Sequence, residues 1–491
     1  MTDVEQLRRP SARQKEIMEY LCLGCTNQEI SQFLGISVNT IKTHVTSLYK
    51  LLDVTNRTEA VHRYNELFEK TYRGRTPSVT LLPFAATGSE ARERDAAELT
   101  EIVLCYLSRW NRFSVQSHSL PAVHDTKHDG SASSQLDATY AIYGGLIENG
   151  MQLQVWVRLL EVSRRKVHWV QVFDVISEVP NWVRNLSSHI VAVAMCELLK
   201  AEYARTEGQA IDQLSATERT LRGIQLLSVR TGAHCERALE LFESALADQP
   251  ELAMAHFGVA YASFLDVVER RGPDSAIEKV HFHSLRCAQL DQFSHDGSQI
   301  LSTSRLLQGR LDEAISLLRA AVSVNPSSAL GFNLLGQFHA LKGNLRQALL
   351  YANESARLSE HTPEYSHNQG ATALICFTMG DFSAAAEACR KTLRYDFESR
   401  LIMALLVAAC FLDGKLEEAE RARYQLLQLT PRFRVEELLL LLQHVPPVVR
   451  DQFLNTMRDV GLGSGDAQET PASCSRLRCQ THENVSVHPF G

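Results

Sequence analysis

Four segments of this chain align on themselves: GRLDEAISLLRAAVSVNP (309–326), GNLRQALLYANESARLSE (343–360), GDFSAAAEACRKTLRYDF (380–397) and GKLEEAERARYQLLQLTP (414–431). Their central alanines, Ala314, Ala348, Ala385 and Ala419, are spaced 34, 37 and 34 residues apart. An earlier copy, RALELFESALADQP, places Ala238 76 residues before Ala314, which is two further units with an insertion around RRGPD. A period of this size without strand signals leaves few folds open. Each unit is a helical hairpin that cannot bury its apolar face alone, so the units must stack into a solenoid. The small residue marks the close helix crossing, the Gly marks the turn, and Pro follows the second helix.

This pattern resembles the tetratricopeptide repeat and spans 215–431, with 432–460 expected as a C-terminal helical cap and 461–491 as a Gly/Ser/Thr-rich disordered tail. The resemblance implies a concave groove, lined by the first helix of each pair, that reads an extended peptide or a partner helix. Registering Ala348 with the family's second-helix alanine puts Phe332, Leu335 and Gly336 at packing positions. The same register directs Asn333 and Gln337 into the groove, with Gln299 and Thr303 one repeat earlier and His367 one repeat later.

Upstream, residues 79–205 read differently. VTLLPFAA and FSVQSHS are short strand signals, RERDAAELTEIVLCYLSRW (92–110) is an amphipathic helix, and AVHDTKHDGSASSQ is a loop. Three alternating runs follow, ATYAIYGGLIE, MQLQVWVRLLEV and KVHWVQVFDV, the first two joined by Asn149-Gly150, a strong hairpin signal. A helix over 181–203 closes a small α/β domain with an antiparallel meander. VTLLPF, LTEIVLCYLSRW and the Trp in VHWVQVF resemble the N-terminal domain of TolB-like proteins, and Leu81, Leu153, Val155, Val157 and Trp169 are its expected core.

The formal charge of −7 is uneven: residues 1–76 hold 11 Lys/Arg against 9 Asp/Glu, or +2, leaving −9 for the rest. Only this first segment can approach a polyanion. Residues 11–69 have helical periodicity broken at GCTN, GIS and DVTN, with helices beginning near Ser11, Asn27, Val38 and Arg57 and Ser37 as an N-cap. A helix, a turn at Gly35-Ile36-Ser37 and a second helix make a helix-turn-helix. Glu16, Gly24, Asn27, Glu29, Ile30, Leu34, GIS, NTIKTHV, Val54 and NRTEAV closely resemble the LuxR/GerE-type DNA-binding domain. The resemblance implies a four-helix domain over 4–69, a helix-turn-helix motif at about 26–45, a recognition helix over about 38–52, and a linker at 70–78. Ile30, Leu34, Ile41, Val45 and Leu48 are its core. Asn39 and Thr40 then meet phosphate, Lys42, Thr43, His44, Thr46 and Ser47 lie toward the bases, and Lys50, Asn56 and Arg57 suit the DNA backbone. Asp53 replaces the family's Gly, and Leu51 its usual Lys.

The expectation is therefore a multidomain, mainly α chain of bacterial regulatory type, cytoplasmic, whose partners are double-stranded DNA, a protein or peptide on the repeats, and a second copy if DNA half-sites are paired. The 11 Cys form no secreted-style framework, and the longest apolar run, LIMALLVAACFL (401–412), is too short for a membrane span. Cys22-x-x-Cys25 lacks a second pair at zinc spacing, GLGSG (461–465) follows no strand, and GKL at 414 fails the P-loop pattern. No catalytic constellation, metal or cofactor is expected. The alternative is an interaction scaffold that uses the repeats and carries a vestigial helix-turn-helix.

Overall fold

The computed structural model describes residues 76–86, 89–117, 138–149, 152–229, 231–270, 274–291, 294–360, 364–394, 398–438 and 442–462, with parts of 13–60. The expected loop at 122–135, the linker before 76, Asp53 and the tail from 463 lie outside the described residues. In the N-terminal segment, helices α1 (Asn27–Leu34) and α2 (Val38–Leu52) are joined through Ile36 and Ser37. Ile17, Met18, Leu21, Ile30, Ile41, Val45, Leu48, Leu52 and Ala60 form its buried core, with Leu34 packed against it.

The next unit is a two-layer α/β structure. Strands β1 (Ser78–Leu81), β2 (Ala85–Ala86), β3 (Ser114–Ser117), β4 (Tyr140–Asn149), β5 (Gln152–Glu161) and β6 (Lys166–Val175) form one sheet, ordered β3-β1-β4-β5-β6 with β2 alongside β4. β4, β5 and β6 are the expected antiparallel meander, and Asn149 pairs with Gln152 across the hairpin. β1 runs parallel to both β3 and β4. Helices α3 (Glu90–Ser108) and α4 (Trp182–Thr206) pack together on one face. There Leu99, Val103, Ile190 and Leu198 meet Ile142, Val155 and Val157, all buried as period-2 alternation requires. Leu81 and Leu153 are buried in the same layer, and Trp169 is half-buried against it.

Twelve helices follow as hairpins: α5 (Ala216–Leu226) with α6 (Gly232–Asp248), α7 (Ala253–Leu265) with α8 (Asp274–Leu290), α9 (His295–Leu307) with α10 (Leu311–Val324), α11 (Ala329–Leu341) with α12 (Leu345–Leu358), α13 (Glu364–Met379) with α14 (Phe382–Leu393), and α15 (Arg400–Leu412) with α16 (Leu416–Leu429). Gly309, Gly343, Gly380 and Gly414, between the helices of the last four pairs, have φ of 76°, 80°, 81° and 76°. An L-residue with a side chain adopts that conformation only at a cost, so the repeating Gly has a backbone cause. Ala314, Ala348 and Ala385 are fully buried and Ala419 nearly so. A Cβ on Gly336 of α11 would sit 3.3 Å from Ala352 N and 3.4 Å from Ala348 O, so two small residues permit the close crossing. At the insertion the chain forms a π-helical turn over 266–270, which touches α15 and brings the second hairpin against the sixth.

The α/β unit is docked on this array. Trp110 Nε1 donates to Ser327 Oγ at 2.8 Å, Arg109 Nη1 to Val324 O at 2.8 Å, and Arg357 to Asn185 O and Ser188 Oγ at 3.0 Å each. Arg205 Nη2 lies 2.6 Å from both Glu202 and Glu218, and Tyr140 Oη donates to Glu202 at 2.9 Å. Glu218 also closes a capping box with Ser215 at the start of α5. One buried network therefore ties the sheet, α4 and the first repeat.

Candidate nucleic-acid interface

Helix α2 is amphipathic. Ile41, Val45, Leu48 and Leu52 are its buried side, three and four residues apart as a helical face demands. Asn39, Thr40, Lys42, Thr43, Thr46, Ser47 and Lys50 are all exposed, and His44 is half-buried at the border. No Asp or Glu occurs between residues 38 and 52, in a chain carrying 57. The helix start is built by its own side chains. Ser37 Oγ accepts from Thr40 N at 3.1 Å and lies 2.8 Å from Thr40 Oγ1, which bears out the expected N-cap. Ser31 Oγ donates to Ile36 O at 2.6 Å, fixing the turn between the helices.

Two threonines carry information that the sequence did not announce. Thr43 Oγ1 donates to Asn39 O at 3.0 Å and Thr46 Oγ1 to Lys42 O at 2.9 Å, so both hydroxyl protons are used within the helix. Outward, each offers an acceptor oxygen and a methyl group. Ser47 Oγ accepts from Gln14 Nε2 at 3.1 Å, which places the first segment beside the middle of α2. Arg13 Nη2 donates to Leu34 O at 3.1 Å.

Asn56 and Arg57 have duties in the fold. Asn56 Oδ1 accepts from Glu59 N at 2.9 Å as a helix cap, while remaining exposed. Glu59 in turn accepts from Thr55 N and Thr55 Oγ1, hydrogen bonds that hold its carboxyl below the usual carboxylate range. Half-buried Arg57 donates through Nη2 to Leu21 O at 2.9 Å, fastening the end of this segment to its beginning.

The expected partner groove takes a different form. Gln299, Thr303 and Asn333 point inward, as the register implies, but they are 2 %, 0 % and 2 % exposed and line no open surface. Gln299 Oε1 accepts from Ser328 Oγ at 2.8 Å, Thr303 Oγ1 donates to Ile300 O at 2.7 Å, and half-buried Gln337 donates through Nε2 to Asn333 Oδ1 at 2.6 Å. His367 lies on the backbone of α13, its side chain outside the described residues. The physical reason is occupancy from two sides: Gln299 lines a cavity closed by Trp110 and Arg112 of the α/β unit, and Asn333 one closed by the C-terminal segment on the concave side. The segment expected to cap the array folds into it, and its helix α17 (Pro447–Asp459) packs on α15. His444 Nε2 reaches Leu306 O at 3.2 Å, and the Phe453 ring centroid lies 5.8 Å from that of Phe377. What remains is a cavity of about 110 Å³, lined by Tyr261, Phe338, Leu405 and Phe453 among others and edged by Asn333 and Gln337.

Comparison with known proteins separates the two ends of the chain. Residues 11–64 match the family described as "Bacterial regulatory proteins, luxR family", and residues 301–362 match "Tetratricopeptide repeat". Over 63 residues the chain is 46 % identical to the "Putative HTH-type transcriptional regulator YhjB" of Escherichia coli K12, covering 13 % of this chain and 32 % of that protein. Over 54 residues it is 48 % identical to the "CsgBAC operon transcriptional regulatory protein" of the same organism, covering 11 % and 25 %. "Protein FlbA" of Caulobacter vibrioides is 26 % identical over 196 residues, 39 % of this chain and 31 % of its own length. The chain thus spans a third or less of these relatives. Among the described residues, no helix is long and apolar enough to cross a membrane, and no group of three or more His, Cys, Asp or Glu could hold a metal.

Proposed function

We propose that this chain is a sequence-specific DNA-binding regulator of transcription and not an enzyme. In this reading residues 4–69 form a four-helix domain whose helix α2 enters the major groove. Lys42, Thr43 and Thr46 meet base edges, with His44 and Ser47 at their border. Asn39, Thr40, Lys50 and Asn56 meet phosphates, and Arg57 holds the domain together. The observation that carries the reading is the outward face of α2: seven exposed polar or basic side chains without one carboxylate. Such a face suits a polyanion, and the positive end of the helix dipole at its first turn suits phosphate. The names of the relatives matched over this segment support the same reading.

The remainder, residues 79–205 as a TolB-N-terminal-like domain and 215–431 as tetratricopeptide-like repeats, is proposed to receive the signal. Their docking through Trp110 and Arg205 favours a single regulatory body. A protein partner would approach its outer surfaces, since the concave side is occupied. The scaffold alternative predicts no sequence preference on DNA.

The deciding experiment selects duplexes from a random pool with the full chain and measures the enriched site by anisotropy. A defined motif should emerge, and Lys42→Ala should weaken it by about 5- to 150-fold, as a base contact of ~1–3 kcal/mol requires. A folded protein that enriches no motif would refute the proposal.

A further inference from the structure

Among the described residues, the sheet of the α/β unit is covered on one face only. α3 and α4 lie side by side over the layer containing Val155 and Val157, and no described element packs on the opposite face. On that face Ile147 of β4, Trp156 and Arg158 of β5, and Val170, Val172 and Asp174 of β6 lie in adjacent registered rows. Ile147, Val170 and Val172 are 42 %, 52 % and 53 % exposed. Exposed Val170 and Val172 on β6, with Trp156 of β5 beside Val172 and Ile147 of β4 one row away, form an apolar patch of the kind that marks an interaction surface.

β6 is also the sheet edge, so a partner strand could in principle add to it. The register argues against that mode. Leu159 pairs with Trp169 but Leu160 with Val167, leaving His168 as an extra residue in β6. The His168 ring turns inward to Glu161, with Nε2 2.9 Å from Oε2. A bulge of this kind twists an edge away from continued pairing. The face, and not the edge, is the surface on offer.

Its charges identify the occupant. Trp156 pairs with Val172, and this row has Arg158 opposite Val170 on one side and Gln154 opposite Asp174 on the other. Arg158 and Asp174 are four residues apart along the sheet, ~13 Å at the rise of a strand, too far to pair within one chain. Instead Arg158 rests 5.0 Å over the Trp156 ring, and Asp174 accepts from Gln154 Nε2 at 2.8 Å. A two-fold axis along the Trp156–Val172 row would lay this face on its own copy. It would stack the two apolar rows and bring each Arg158 over the Gln154–Asp174 pair of the other molecule. The face is self-complementary in charge and in the placement of its apolar row, as an isologous interface requires.

We propose that a second copy of this chain docks face to face on the uncovered sheet, with Trp156 and Val172 at the centre and two reciprocal Arg158–Asp174 contacts at its flanks. Three strands of ten residues present a rectangle of ~33 by ~14 Å, ~460 Å² per copy, against ~800 Å² per partner in a standard interface. A contact this small belongs with weak, transient interfaces.

Sedimentation velocity of the full chain without DNA, from about 1 to about 100 µM, tests this directly. A monomer–dimer equilibrium is expected. Val172→Lys and Arg158→Asp should each weaken it about tenfold or more, and Arg158→Asp combined with Asp174→Arg should restore it to within about threefold. Far-ultraviolet dichroism and melting of each variant verify folding, since all three positions are on the surface. A chain that stays monomeric at 100 µM overturns the proposal. So does a dimer indifferent to Val172→Lys, or a double reversal that restores nothing. The inference does not rest on DNA binding, so its failure leaves the reading of α2 untouched.

Discussion

The inward-bonded hydroxyls of Thr43 and Thr46 make the sharpest test of how α2 would read DNA. Each proton goes to the carbonyl four residues back, at 3.0 and 2.9 Å, so toward a base each residue is an acceptor and a methyl, never a donor. In the major groove an acceptor can meet adenine N6 or cytosine N4, and a methyl can meet thymine C5. Two substitutions separate these. Thr43→Val keeps the shape and the methyl and deletes the acceptor. A neutral hydrogen bond is then lost and a base donor left unpaired, ~1–2 kcal/mol or about 5- to 30-fold at an adenine or cytosine. Thr43→Ser keeps the acceptor and deletes the methyl, ~0.8 kcal/mol or about fourfold at a thymine. Thr, Val and Ser differ little in helix propensity, and position 43 is exposed, so folding should be unchanged. Anisotropy titrations on the selected duplex and its single-base variants, at two salt concentrations, would read the result. One of the two substitutions at each threonine should erase discrimination at one base pair and leave the salt slope intact, because no phosphate charge is involved. If Val and Ser at both 43 and 46 bind like the parent, this face of α2 does not meet bases.

Three further outcomes concern the frame that carries the site. Arg205→Met removes the guanidinium that bridges Glu202 and Glu218, which are 1 % and 0 % exposed. A loss of ~3–5 kcal/mol is expected, read as a lower urea midpoint, and an unchanged midpoint would contradict the network. Ala348→Leu forces three carbons into the crossing beneath Gly336, at ~1–3 kcal/mol, so the melting temperature of the full chain should fall by a few degrees or more. His283 is lowered to about 4 by burial and by the neighbouring His256 and Lys279, with Glu243 opposing. Its folded pKa lies below the unfolded value, so stability should be flat above pH 6.5, fall between 6.5 and 4, and level off below. Discounted for partial exposure, the fall is ~1–2 kcal/mol. His283→Gln should reduce the change in urea midpoint across that window without abolishing it, because burial also lowers His256, His281, His295 and His339; a variant whose change equals the parent's would refute the assignment.

The parts legible in the sequence are those whose cause is local. The Gly at 309, 343, 380 and 414 recur because a left-handed turn needs them, and the alanines recur because two helices cross there. The meander was readable from strict alternation, and the core of the first segment from Ile41, Val45 and Leu48 at helical spacing. What escaped depends on where distant segments meet. Nothing in the spacing of Asn333 says that residues 442–453 fill the space in front of it, nor in that of Gln299 that the turn at Trp110 and Arg112 lies across from it. The parallel pairing of β1 with β3 and β4 is likewise a tertiary choice. The docking turn at Arg109-Trp110-Asn111-Arg112 did leave a trace: Arg and Trp crowded around Asn111, whose φ of 56° is left-handed, at the end of an amphipathic helix. Arg57 reads equally well as a phosphate ligand or an internal clasp, and only the Leu21 carbonyl beside it distinguishes the two.

The contact of the 266–270 turn with α15 alters how such an array can lose its structure or change its length. An open stack of hairpins melts from its ends, and a unit can be gained or dropped with little effect on units far away. Here the second and sixth hairpins touch, and Leu442, Val445, Val449 and Phe453 of the following segment line the cavity between them. A closed loop has no free end from which to fray, so the array should unfold as one cooperative block. Its number of units is also locked: removing the 34 residues between Ala314 and Ala348 would open the loop and evict its filling together. Variation in a chain built this way is confined to its outer faces and to what is attached at its ends.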